Sequence, residues 1–217
     1  MLPQFSMPGE ERFPVRKLPF VHRFNRPERP DGTTLVLLHG SGGNEADLMP
    51  IARRIAPQAT LLGVRGRATE EQINRWFRRF DATTFDQADI QSEAAAFAAF
   101  VEDAVINYGI DVTRLSFLGY SNGANFLAAV MQLYPSAVRR AVLLRAVQVL
   151  DPLPVEDLSG TLVLMVNGQD SYASVLADNL RAQGAQVDTR TVPSGHELTA
   201  ADVAEVAEWL GLGYAGQ

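Results

Sequence analysis

The chain predicts an α/β architecture, a mostly parallel central sheet with helices on both faces. Three observations carry this. Short, continuously apolar runs recur, as in Thr34 to Leu38. Such runs fit strands buried on both faces, as parallel sheets require. Helix-periodic stretches alternate with them, which implies crossover connections. Glycine-rich turns follow the runs at His39-Gly40-Ser41-Gly42-Gly43 and again at Gly119 to Gly123.

In order, residues 12–24 could supply an edge strand, since Pro14 and Pro19 argue against a central one. Thr34 to Leu38 and Ala59 to Val64 read as strands. The stretch from Arg65 to Asp89 has no clear periodicity and reads as a long, partly helical loop. Gln91 to Tyr108 places Phe97, Phe100, Val101, Ala104 and Val105 on one helical stripe, and Gly109 stops it. Leu115 to Leu118 is a strand, and Ala124 to Leu133 is a helix ended by Pro135. Strands follow at 140–144 and 162–166. Val175 to Gln183 is a helix closed by Gly184, Val187 to Val192 a strand, and Ala200 to Leu210 the last helix. The short connection between Leu144 and Leu162 leaves no room for a lid domain, so an open site suited to modest-sized substrates is expected.

The 217 residues fit a single domain, 1–217, with 1–32 as an N-terminal extension or edge strand and 33–210 as the catalytic core. A chain 47% hydrophobic and 20% charged can bury a sizeable core. The absence of cysteine removes thiol nucleophiles, disulfides and thiolate metal sites. A formal net charge of -6 weighs against nucleic-acid binding, although all basic residues but Lys17 are arginine. No stretch approaches the ~18 apolar residues of a membrane span. The first ten residues lack the apolar run of a secretory signal. A cytoplasmic protein is expected, with a small-molecule substrate, no nucleic acid, no membrane span, and room for a homodimer.

The chemistry sits in Gly119-Tyr120-Ser121-Asn122-Gly123, which matches G-x-S-x-G. It follows an expected strand and opens an expected helix, the context of a nucleophile elbow. A serine hydroxyl needs a base to take its proton. In the α/β-hydrolase arrangement the order is serine, acid, histidine. Of His22, His39 and His196, only His196 follows Ser121. The acid that orients the imidazole is read as Asp170, after the strand ending near Val166, with Asp151 as its rival. Asp157 and Asp188 fit less well, one lying before a strand and the other inside one. The oxyanion needs backbone N–H donors, assigned to Ser41 and Asn122. His39 reads as structural. A dinucleotide reading of the first glycine loop fails, because Glu45 stands where G-x-G-x-x-G demands glycine.

The chain resembles the carboxylesterase/phospholipase family of α/β-hydrolases, relatives of acyl-protein thioesterases. The resemblance rests on Leu37 to Leu48, Gly63 to Arg67, Asn74 to Phe80, Phe85-Asp86, Gly119 to Asn125, Leu143 to Ala146 and Ser194 to Thr199. It runs from about residue 33 to 210 and implies a triad of Ser121, Asp170 and His196 without cofactor or metal. It implies a serine carboxylesterase acting on small acyl or aryl esters through an acyl-enzyme. Thioesters or lysophospholipids are the alternative substrates for the same triad, and a non-catalytic binding protein is a remote alternative. Two departures stand out. The acid turn reads Asn167-Gly168-Gln169-Asp170-Ser171-Tyr172 where relatives carry a G-x-x-D-P-like turn. Val147-Gln148-Val149 replaces a methionine and proline. Arg75, Trp76 and Phe77 are candidate substrate contacts. The competing reading puts the aromatics in the core and the nearby arginines on a solvated face.

Overall fold

The apolar runs become strands because alternate residues of each feed two separate cores. In a computed structural model, which describes residues 18–169 and 174–211, seven strands form one sheet. They are β1 (His22–Asn25), β2 (Thr34–Leu38), β3 (Thr60–Val64), β6 (Leu115–Tyr120), β7 (Arg140–Leu144), β8 (Leu162–Asn167) and β9 (Gln186–Thr191). Their spatial order is β1-β3-β2-β6-β7-β8-β9. Only β1 pairs antiparallel, at the sheet edge; it overlaps the end of the stretch 12–24 expected as an edge strand, of which residues 12–17 lie outside the described residues.

Along β2, Val36 and Leu38 face one core, with Phe97, Phe100, Phe117 and Phe126. Leu35 and Leu37 face the other, with Val142, Leu164 and Val206. Helices α2 (Gln87–Tyr108), α3 (Asn122–Leu133) and α4 (Ser174–Ala182) cover the first face. Helices α1 (Met49–Ile55) and α5 (Ala200–Trp209) cover the second. A side-chain period of two makes this split obligatory, since a one-residue slip would exchange both sets of side chains.

Three features differ from expectation. Helix α1 is present although its seven residues are too few to show a periodicity. Helix α2 begins at Gln87, four residues early, because the Asp86 carboxylate accepts from Asp89 N–H and caps it. The stretch read as partly helical instead holds a hairpin, β4 (Ala68–Glu70) against β5 (Ile73–Arg75). The connection from residue 145 to 161 contains no helix or strand, so no separate lid is present there. Among the described residues no helix is long and apolar enough to cross a membrane.

The order places the site. From β2 the chain first adds β3 on one side and later β6 on the other. The crevice outside the carboxyl ends of β2 and β6 is therefore the topological switch point, where open α/β sheets bind ligands.

The hairpin turn is strained. Glu71 and Gln72 both have positive φ, 51° and 65°. Two-residue turns of this kind favour Asn-Gly. Left-handed backbone costs a non-glycine residue roughly 1–2 kcal/mol, more than the roughly 0.5–1 kcal/mol of extra chain entropy glycine brings. Gln72→Gly is therefore expected to raise stability by about 0.5 kcal/mol, read as a higher midpoint in urea unfolding.

Candidate active site

Strand β6 passes into α3 through Ser121 alone. That residue holds φ 52° and ψ -118°, outside the usual wells for an L-residue, and its side chain makes no helix-capping bond. The turn works because its flanks lack side chains. A Cβ on Gly119 would lie 2.8 Å from the Ala124 backbone, and one on Gly123 would lie 2.3 Å from the Leu38 carbonyl oxygen. Ser121 N–H donates to Leu144 O at 2.8 Å, fixing the elbow to the neighbouring strand end.

Ser121 Oγ lies 3.0 Å from His196 Nε2. The two are 75 residues apart in sequence, and the contact is open to solvent. His196 sits on the loop after β9, and Tyr120 O–H donates to its carbonyl at 3.1 Å. Asp170 lies outside the described residues. The loop leading to it can be placed. A Cβ on Gly168 would lie 2.3 Å from Gly195 O, and Gln169 N–H donates to Ser194 O at 2.9 Å. Asp151 faces another cavity, lined with Phe85, Gln87, Gln148 and Asn179.

The loop after β2 is held from three directions. Gly42 N–H donates to Asn74 O at 2.9 Å, and Asn74 Nδ2 donates to Gly43 O at 2.8 Å. Arg75 Nη1 donates to Ser41 Oγ at 2.9 Å, while Arg75 Nε pairs with Glu70 at 2.6 Å. The hairpin is thus a brace for the loop. Trp76 adds two bonds. Its backbone N–H donates to Asn122 Oδ1, and its indole N–H donates to His39 O, both at 2.9 Å.

These bonds revise the substrate-contact reading of residues 75–77. Trp76 is 0% and Phe77 1% exposed, and both belong to the aromatic core with Phe97 and Phe126. Neither ring has a face open to a substrate, so the core reading replaces the substrate reading. Arg75 is buried, ion-paired with Glu70 and hydrogen-bonded to Ser41. The other arginines of the stretch are also paired: Arg65 with Glu45, Arg67 with Glu93, Arg78 with Asp86 and Asp89, and Arg79 with Glu70.

No protein-family model matches the chain. Relatives and solved structures do. The "putative hydrolase MhqD" of Bacillus subtilis (strain 168) is 32% identical over 181 residues, 81% of this chain and 90% of that protein. A carboxylesterase from Mesorhizobium loti is 44% identical, with a TM-score of 0.85 over 88% of this chain and 94% of that one. The Bacillus cereus carboxylesterase is 30% identical, with a TM-score of 0.83 over 89% and 94%. The chain belongs to the carboxylesterase family of α/β-hydrolases.

In this α/β-hydrolase, both ring nitrogens of His39 are engaged by backbone groups. Its Nδ1 lies 2.6 Å from Gly40 O, and its Nε2 accepts from Gly66 N–H at 3.0 Å. That pair of partners fixes one neutral tautomer, with the proton on Nδ1. Burial lowers the His39 pKa, outweighing the hydrogen bond to Gly40 that favours the cation. A groove beside the elbow has a volume of 620 Å³. It is lined by Leu48, Pro50, Ile51, Tyr120 and Leu198, and by the charged Asp47, Arg54 and Glu197.

Sequence reasoning left Arg145, Asp202 and Tyr120 without a role. The one available signal for Asp202 was Thr199 three residues earlier, which forms a capping box at the start of α5. Arg145 carried no such signal.

Two outcomes are expected. Gly123→Ala forces the elbow away from the β2 end and lowers stability by about 1–3 kcal/mol, the usual range for overpacking, measurable by thermal melting. Because the folded state holds His39 with a lowered pKa, the unfolded state binds more protons. Stability therefore falls as pH drops below the ordinary histidine pKa, 6.5. Urea titrations from pH 8 to 5 should show the gap between wild type and His39→Gln narrowing toward acid.

Proposed function

We propose that the chain is a serine esterase in which Ser121 is the nucleophile and His196 its general base. The observation that carries this is the 3.0 Å contact between Ser121 Oγ and His196 Nε2 on a strained strand-to-helix turn. His196 removes the hydroxyl proton as Ser121 attacks the ester carbonyl. A tetrahedral oxyanion forms and collapses to an acyl-enzyme, with the proton passing to the departing alcohol. Water, deprotonated by His196, then releases the acid.

The oxyanion is assigned to the backbone N–H groups of Ser41 and Asn122. Elimination supports Ser41. Gly42 N–H is committed to Asn74 O, and Gly43 N–H to Gly40 O. Asn122 is the first residue of α3, where the helix end also favours developing negative charge. Asp170 is assigned the orienting carboxylate. The packing of Gly168 and Gln169 on Ser194 and Gly195 supports it, because the two loops run against each other.

The groove suits a small acyl or aryl group. Its volume matches a modest ligand, and Leu48, Pro50, Ile51, Tyr120 and Leu198 give it an apolar lining. A thioester or lysophospholipid would meet the same Ser121 and His196. A panel of short acyl esters, aryl esters, acyl thioesters and lysophospholipids ranked by kcat/KM decides between them.

Ser121→Ala should abolish both turnover of p-nitrophenyl acetate and fluorophosphonate labelling. An unlabelled Ser121 in folded wild type would sink the reading. Asp170→Asn should lower kcat by about 10⁴-fold, the loss seen when a triad imidazole is left in the wrong tautomer. Asp151→Asn should leave kcat within about twofold, and the reverse pattern would reassign the acid.

A further inference from the structure

On the serine-esterase reading above, catalysis depends on where the His196 loop is held. We infer that Arg145 is the positioning residue that holds it. Arg145 is 6% exposed and lies immediately after β7, beside the elbow. Its guanidinium grips both flanks of His196. Nε donates to Gly195 O at 2.8 Å, and Nη2 donates to Glu197 O at 3.0 Å and to Ser194 Oγ at 3.0 Å. Nη1 donates to Val166 O at 3.2 Å, which ties the same side chain to the end of β8.

The guanidinium is aimed by Asp202. Nη1 lies 2.7 Å from Asp202 Oδ1 and Nη2 3.2 Å from Oδ2, a fork against a carboxylate that is 0% exposed. Asp202 Oδ2 also accepts from Thr199 N–H at 2.7 Å and from Thr199 Oγ1 at 3.0 Å. The clamp therefore spans the whole turn from Ser194 to α5, with His196 at its centre. Six contacts draw on five N–H groups, so the side chain has no donor left for a substrate. Lysine cannot reproduce this, because a single ammonium cannot reach both flanks and the carboxylate together.

Arg145→Lys tests it, with Leu158→Ala as a destabilised control. Leu158 is buried at the opposite end of the sheet, before β8. In folded Arg145→Lys, kcat for p-nitrophenyl acetate should fall about 10- to 100-fold, the scale of a loss of about 1 Å in positioning. KM should stay within about threefold, because substrate binding is untouched. Amide exchange at residues 194–197 should quicken while that of β6 and α3 does not. Leu158→Ala should melt lower yet keep wild-type kcat and loop exchange. If Arg145→Lys fails to fold, Ser194→Ala, which removes one Nη2 partner, should show the same pattern with a smaller fall. Wild-type kcat and unchanged loop exchange in the folded variant would overturn the inference. An inactive wild type would overturn the esterase reading instead, and loop exchange would still decide the clamp.

Discussion

The site depends on one conformational demand, the left-handed turn at Ser121. A strand must become a helix within a single residue, and the helix must start against the end of the adjacent strand. With φ at 52° the serine side chain leaves the sheet rather than capping α3. Gly123 then sits so close to the Leu38 and His39 carbonyls that a Cβ would lie 2.3 and 2.5 Å from them. The close approach that forbids a side chain is the one that brings the Ser121 turn beside the loop after β2. Ser121 and the glycine-rich loop are neighbours because their backbones touch.

The next strand repeats the device. Tyr120 and Leu144 are partners in register, and each is followed by a non-glycine residue with positive φ, Ser121 and Arg145. Left-handed backbone at Arg145 is unfavourable by roughly 1–2 kcal/mol. Removing one partner from a buried ion pair costs roughly 3–5 kcal/mol because the other charge is left unpaired, so neither Arg145 nor Asp202 is easily replaced alone. Replacing the whole pair by apolar groups is often neutral for stability. Its presence here is then better explained by geometry, since an apolar side chain could fill the space but not grip two carbonyls around His196.

The sheet was legible because residues such as Val36 and Leu37 must be apolar on both sides, which leaves a continuous run. The elbow was legible because Gly119 and Gly123 are demanded by sterics, and chain order singled out His196. What escaped was held by bonds without a local signature. Helix α1 is shorter than two full turns, and the 68–75 hairpin turns on Glu71 and Gln72 instead of Asn-Gly. Arg145 meets Asp202 across 57 residues, a separation that no local pattern encodes.

Trp76 shows why an aromatic near a site need not face a ligand. Its ring stacks on Phe126 at 5.0 Å between centroids, and its two N–H groups end on His39 O and Asn122 Oδ1. Phenylalanine would leave part of the core volume empty and lose the indole bond, leaving a buried carbonyl unpaired. With this face closed, the open space beside the elbow is the groove lined from α1 and from the residues after His196. That groove carries two carboxylates, Asp47 and Glu197, against one guanidinium, Arg54, so its charged wall is net negative.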